Sequence, residues 1–160
     1  MARWTNRRHA GTFARKCWQN RRRQGGQIES LEPRLALTAQ LVVSEVMALN
    51  RDALFDGNGD ASDWIEIQNL GNSAAELEGY YLTDDAERPT RWRFPTSDLP
   101  AGESLIVFAS GDAGPDSLGY LHTSFRLDGD GESVTLVAPD GFSVVSQLVF
   151  PAQESNVAFG

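Results

Sequence analysis

Between Leu41 and Phe150 apolar side chains recur at every second position in short runs, and helical periodicity is missing. A period of two suits strands, because successive side chains on a pleated chain point to opposite faces. The runs fall at 41–48, 63–69, 75–83, 91–94, 103–109, 132–138 and 142–150. Turn-forming clusters lie between them: Asp56-Gly57-Asn58-Gly59-Asp60, Gly71-Asn72, Leu99-Pro100-Ala101-Gly102, Gly111 to Gly114, Asp128-Gly129-Asp130-Gly131 and Pro139-Asp140-Gly141. Glycine and asparagine accept positive φ and proline fixes φ, so each cluster is able to reverse the chain. About seven short strands at this spacing predict an all-β fold, an antiparallel β-sandwich.

Alternation also assigns faces. Ile65 and Ile67 share one face of their run, and Glu66 and Gln68 share the other. Trp92 and Phe94 likewise alternate with Arg91 and Arg93, which places Trp92 in the core. Leu105-Ile106-Val107-Phe108 is apolar on both faces and suits a central, covered strand. Burial of Trp92, Phe94 and Phe108 is expected to contribute about 2–3 kcal/mol each. Glu45, inside the apolar first run, is expected to be buried against Arg93 or a backbone donor, because an unpaired buried carboxylate is costly.

Charge divides the chain. Residues 1–40 hold nine Arg and Lys against two Glu (+7), residues 41–160 hold five against twenty (−15), and the net is −8. A basic arm on an acidic body reads as a targeting or interaction segment. We therefore take 1–39 as an arm and 40–160 as one domain, a length of roughly 120 residues that suits a single core. The arm's Arg21-Arg22-Arg23-Gln24-Gly25-Gly26-Gln27 has no apolar face and is expected to be disordered. Cys17 is the sole cysteine, so no intrachain disulfide forms. The apolar stretch at 35–43 is broken by Thr38 and Gln40, a poor fit to a secretory signal. No run approaches the roughly 20 apolar residues of a membrane span.

Within the arm, Leu31-Glu32-Pro33-Arg34-Leu35-Ala36-Leu37 resembles the LEPR-XLL segment of bacterial proteins, matching its fixed positions at Leu31, Glu32, Pro33, Arg34 and Leu37 and departing at Ala36. That family is associated with large secreted or surface proteins, so the resemblance implies export, with those five residues as the targeting signal. The body resembles the lamin-tail domain in Leu41-Val42-Val43-Ser44-Glu45-Val46-Met47-Ala48, Asp63-Trp64-Ile65-Glu66-Ile67-Gln68-Asn69 and Leu77-Glu78-Gly79-Tyr80-Tyr81-Leu82-Thr83-Asp84-Asp85. Trp92-Arg93-Phe94-Pro95, Leu99-Pro100-Ala101-Gly102 and Val107-Phe108-Ala109-Ser110-Gly111 continue it in order. The resemblance implies an immunoglobulin-like sandwich of the bacterial extracellular type, usually a non-catalytic unit beside other extracellular modules. In that family the stretch like 151–160 commonly continues into more chain, which leaves a C-terminally truncated domain as one reading.

Chemistry is sparse by comparison. A nucleophilic triad needs a base beside its nucleophile, yet His9 lies in the arm and His122, in Tyr120-Leu121-His122-Thr123-Ser124, is the only histidine of the body, so no enzyme is expected. No phosphate-cradling loop or dinucleotide fingerprint is present. Asp56, Asn58, Asp60 and Asp63 offer hard oxygens of the kind Ca²⁺ takes, and form the calcium candidate. EF-hand spacing fails there: counted from Asp56, position six is Ala61 and position twelve is Ile67. A polar turn whose Asp and Asn side chains bond their own backbone is the favoured alternative, with no cofactor. Asp128, Asp130 and Glu132 form a second acidic turn. The leading expectation is a non-catalytic exported or cell-surface module that contacts a protein or a cell-envelope component. The alternatives are nucleic-acid binding through the arm, which the acidic body opposes, and an accessory module of a larger extracellular enzyme.

Overall fold

Every predicted run contains a strand in the computed structural model, which describes residues 38–160. The arm's expected disorder and the targeting candidates Leu31, Glu32, Pro33, Arg34 and Leu37 lie outside the described residues. The strands are β1 (Leu41–Met47), β2 (Trp64–Asn69), β3 (Ala75–Glu76), β4 (Tyr81–Thr83), β5 (Trp92–Arg93), β6 (Asp98–Leu99), β7 (Ser104–Phe108), β8 (Gly114–Pro115), β9 (Leu121–His122), β10 (Gly131–Val137) and β11 (Val144–Pro151). One sheet runs β1-β2-β7-β9-β8, a second runs β11-β10-β4-β5, and β3 with β6 makes a short ribbon. The pairings are antiparallel except β7 with β9, which is parallel.

Two differences from the sequence reading have local causes. The run 75–83 divides into β3 and β4, which pair with different partners. Between them Tyr80 N–H donates to the Leu77 carbonyl, and Gly79 takes φ +86°, a left-handed conformation that ends a strand. β6, β8 and β9 are two residues each, too short to show a period in sequence.

The inner faces of both large sheets meet in one core. Ile65, Ile67 and Val107 come from one sheet, Leu82, Val134 and Leu136 from the other, and Trp92, Phe94 and Phe125 join them. Trp92 is buried as expected and meets Phe94 edge-to-face, with ring centroids 4.7 Å apart. The two-sided apolarity of β7 is also accounted for. Val107 faces the main core, while Phe108 packs with Met47 and Trp64 on the opposite face, where Ile106 and Ala158 partly cover it. The C-terminal segment reaches that face by hydrogen bonds in both directions between Val46 and Phe159.

Glu45 departs from expectation: it is exposed. The pairing of β1 with β2 shifts register between Val43 and Glu45, and this bulge keeps Val43 and Val46 inward while turning the carboxylate to solvent. Arg93 is not needed as its partner.

Asn69 fastens the end of β2. Its Oδ1 accepts from Gln40 N–H and Gly71 N–H, and its Nδ2 donates to the Ser73, Leu99 and Pro100 carbonyls. Thr38 joins the same corner, donating to Asn72 Oδ1 and accepting from Asn72 N–H, so ordered pairing begins two residues before residue 40.

Candidate functional site

Two loops meet at one end of the five-stranded sheet: 48–63, between β1 and β2, and 109–120, which leads from β7 through β8. The first is built on its own polar side chains. Asn50 Nδ2 donates to the Leu54 and Ser62 carbonyls, and its Oδ1 accepts from Ala53 N–H. Asp56 is buried; Oδ1 accepts from Asn58 N–H and Asp60 N–H, and Oδ2 accepts from Ser62 Oγ. Burial alone would raise the Asp56 pKa, but these donors reverse that and hold the carboxyl below its usual range.

The calcium candidates are thus only partly brought together. Asp56, Asn58 and Asp60 border a small cavity of about 80 Å³, whereas Asp63 accepts from Asn50 N–H and lines a neighbouring cleft. Among the described residues no group of three or more His, Cys, Asp or Glu is arranged to hold a metal ion. Since both oxygens of Asp56 already serve the loop, millimolar Ca²⁺ is expected to leave the melting temperature unchanged. A calcium-dependent rise in a thermal melt would contradict that.

The second loop is organised by Asp116, whose side chain is almost wholly enclosed. Its Oδ1 accepts from Leu118 N–H and Tyr120 N–H; its Oδ2 accepts from Gly57 N–H at 2.6 Å and lies 3.2 Å from His122 Nε2. Burial opposes ionisation here as well, yet the His122 contact and three amide donors lower the pKa to about 2. Gly57 N–H and the Ser117 Oγ bond to the Gly57 carbonyl clasp the two loops together.

His122 lies in β9, buried and stacked on Phe108, with ring centroids 5.4 Å apart. Its Nδ1 is 2.8 Å from Ser110 Oγ. The ionised Asp116 is an acceptor only, so Nε2 donates to it, and in the neutral imidazole this leaves Nδ1 as the lone-pair nitrogen facing the serine. Tertiary structure thus places a hydroxyl beside the one histidine of the body. The parallel pairing of Phe108 with His122 brings the imidazole beside Ser110, twelve residues away in the chain. Nothing in the local sequence around Ser110 or Asp116 signals this.

Ser110 opens on a cleft of about 370 Å³ lined also by Asp60, Asp63, Asp112 and Arg126. Arg126 Nε donates to the Ser110 carbonyl at 2.6 Å. Asp63 is half-buried there, and burial raises its pKa against the opposing Asn50 N–H and Arg126 charge.

The acidic turn at 128–132 behaves differently. Glu132 accepts from Asp128 N–H, but burial, with the charges of Asp84 and Asp128 adding to it, raises its pKa from 4.5 to about 7; the Asp128 N–H and Arg91 oppose. The folded chain therefore binds more protons than the unfolded chain between those values, and stability falls as pH rises from about 4.5 to about 7. The melting temperature is expected to be higher at pH 5 than at pH 7. Glu132→Gln should shrink that difference, which parallel melts of both proteins would read.

A β-sandwich with its loops braced at one end by buried polar side chains defines the class, a small all-β domain. Residues 36–150 match the family model of the lamin tail domain, and the chain belongs to that family. The family is a non-enzymatic interaction domain with an immunoglobulin-like fold. No curated protein matches this chain. Among the described residues no helix is long and apolar enough to cross a membrane.

Proposed function

We propose that this chain is a bacterial exported or cell-surface module whose sandwich makes a protein contact and whose basic arm carries the targeting signal. Membership of an interaction-domain family carries the reading. Export is supported by the match of Leu31, Glu32, Pro33, Arg34 and Leu37 to a segment associated with secreted and surface proteins. For the contact, the outer face of the four-stranded sheet offers an apolar surface. Phe142 is 75% exposed, Val144 63% and Val149 65%. Phe142 and Val144 border a groove of about 200 Å³ with Thr135, Val137 and Gln147. Large apolar side chains gathered on one face mark protein contacts more often than isolated ones do.

The test is fractionation of cells expressing the full chain with a C-terminal tag, with the intact mass measured in each fraction. Surface or medium localisation, with mass lost near residues 31–37, is the expected result. Cytoplasmic protein of full mass would overturn export and leave the arm, with its nine basic residues, as a nucleic-acid-binding segment to be tried by salt-dependent shift assays. The double substitution Phe142→Ser, Val149→Ser is expected to reduce retention at the surface without reducing export. Unchanged retention would remove that face from the contact.

A further inference from the structure

We propose that Ser110 is a nucleophile activated by His122 and Asp116, and that it accepts acyl groups from activated esters whose acyl part is uncharged or cationic. This goes beyond the interaction role and does not depend on it.

The hydrogen bonds set the order of the three groups. Asp116 accepts from three amides and from the imidazole, so His122 in its neutral form presents a bare Nδ1 to Ser110 Oγ at 2.8 Å. Asp112 N–H donates to the same serine oxygen at 3.1 Å, which leaves the hydroxyl proton for Nδ1. A hydroxyl within hydrogen-bond reach of a base that a third group orients is the arrangement nucleophilic catalysis needs; the role is defined by geometry, whichever ring nitrogen is used. His122 is buried against Phe108 and the Asp116 side chain is enclosed, which fixes the imidazole; both border the cavity of about 80 Å³ together with Ser110. Ser110 itself remains partly exposed on the 370 Å³ cleft, where an acyl donor has access. Among the described residues three carboxyl groups, Asp60, Asp63 and Asp112, and one cation, Arg126, line that cleft, so an anionic acyl group is disfavoured.

In the step, Ser110 Oγ bonds to the ester carbonyl carbon as its proton passes to His122 Nδ1. The adduct collapses with cleavage of the carbon–oxygen bond to the leaving alcohol, which takes the proton from Nδ1. Asp116 stays ionised throughout and stabilises the transient imidazolium, acting as a positioning residue.

A serine that merely satisfies a buried imidazole would show the same hydrogen bonds without enhanced reactivity, so reactivity is the readout. The full chain is treated with p-nitrophenyl acetate, and acetylation of each serine is followed by peptide mapping. Ser110 is expected to react about 100-fold faster than the average of the other serines. That advantage should vanish in His122→Gln and in the urea-unfolded wild-type chain, the latter comparison holding even where the variant fails to fold. If water removes the acetyl group faster than it is added, the same reactivity appears as nitrophenolate release that Ser110→Ala abolishes. Native Ser110 reacting no faster than the other serines, with no Ser110-dependent release, would overturn the proposal. An ester with an anionic acyl chain reacting as fast as the acetate at low salt would overturn the assigned acyl class.

Discussion

Phe94→Ala is expected to destabilise the domain by about 3–5 kcal/mol, the range for removing a fully buried aromatic side chain from a packed core. Phe94 is 1% exposed, sits among residues of both sheets and meets Trp92 edge-to-face, so the substitution removes apolar burial, leaves a cavity and deletes a ring contact together. Domains of this size are stable by only about 5–15 kcal/mol, so the variant should unfold at much lower urea concentration with an unchanged slope. Its backbone N–H bond to the Tyr80 carbonyl does not depend on the side chain, and Phe94→Leu is expected to recover more than half of the loss. A loss below about 1 kcal/mol would mean that the two sheets do not close over this ring.

Asn69→Ala is expected to cost about 2–4 kcal/mol through unmet hydrogen bonds. The side chain is fully buried and bonds to five backbone groups spread over Gln40, Gly71, Ser73, Leu99 and Pro100. Its bond to the Leu99 carbonyl is buried and the other four are part-buried, so removing the amide leaves that carbonyl stranded and loosens the rest. Asn69→Asp keeps the shape but turns an acceptor toward three carbonyl oxygens, and so should be at least as damaging as alanine. Urea melts of the two variants decide the point. If the Asp variant were close to wild type, the corner would be held by packing and not by the amide.

Both positions belong to runs whose strand character was legible in sequence, though for different reasons. Phe94 alternates with Arg93 and Arg91, and alternation alone places it inward. Asn69 ends an alternating run, where its side chain reads as an ordinary polar turn residue; its role exists only because β2 ends beside both the 70–73 turn and the residues after β6. Glu45 shows the converse. Its position in an apolar run suggested burial, and a one-residue bulge, invisible in the pattern, turned it outward.

The same division holds for the candidate site. Asp56 and Asn58 were legible as a turn, because Asx side chains bond to backbone groups two residues on and that interaction is local. Ser110, His122 and Asp116 were not legible as a unit. Their association depends on the parallel register of β7 and β9, and on a loop clasped by Gly57 from a distant turn.

By itself the sequence determined the all-β character, the faces of the longer strands and the separation of a basic arm from an acidic body, because periodicity and charge are properties of neighbouring residues. Tertiary structure alone decided the sheet order, the division of 75–83 between two pairings and the meeting of Ser110 with His122. Those depend on which distant strands share hydrogen bonds, a choice set by closing one core between two sheets and not by any local preference.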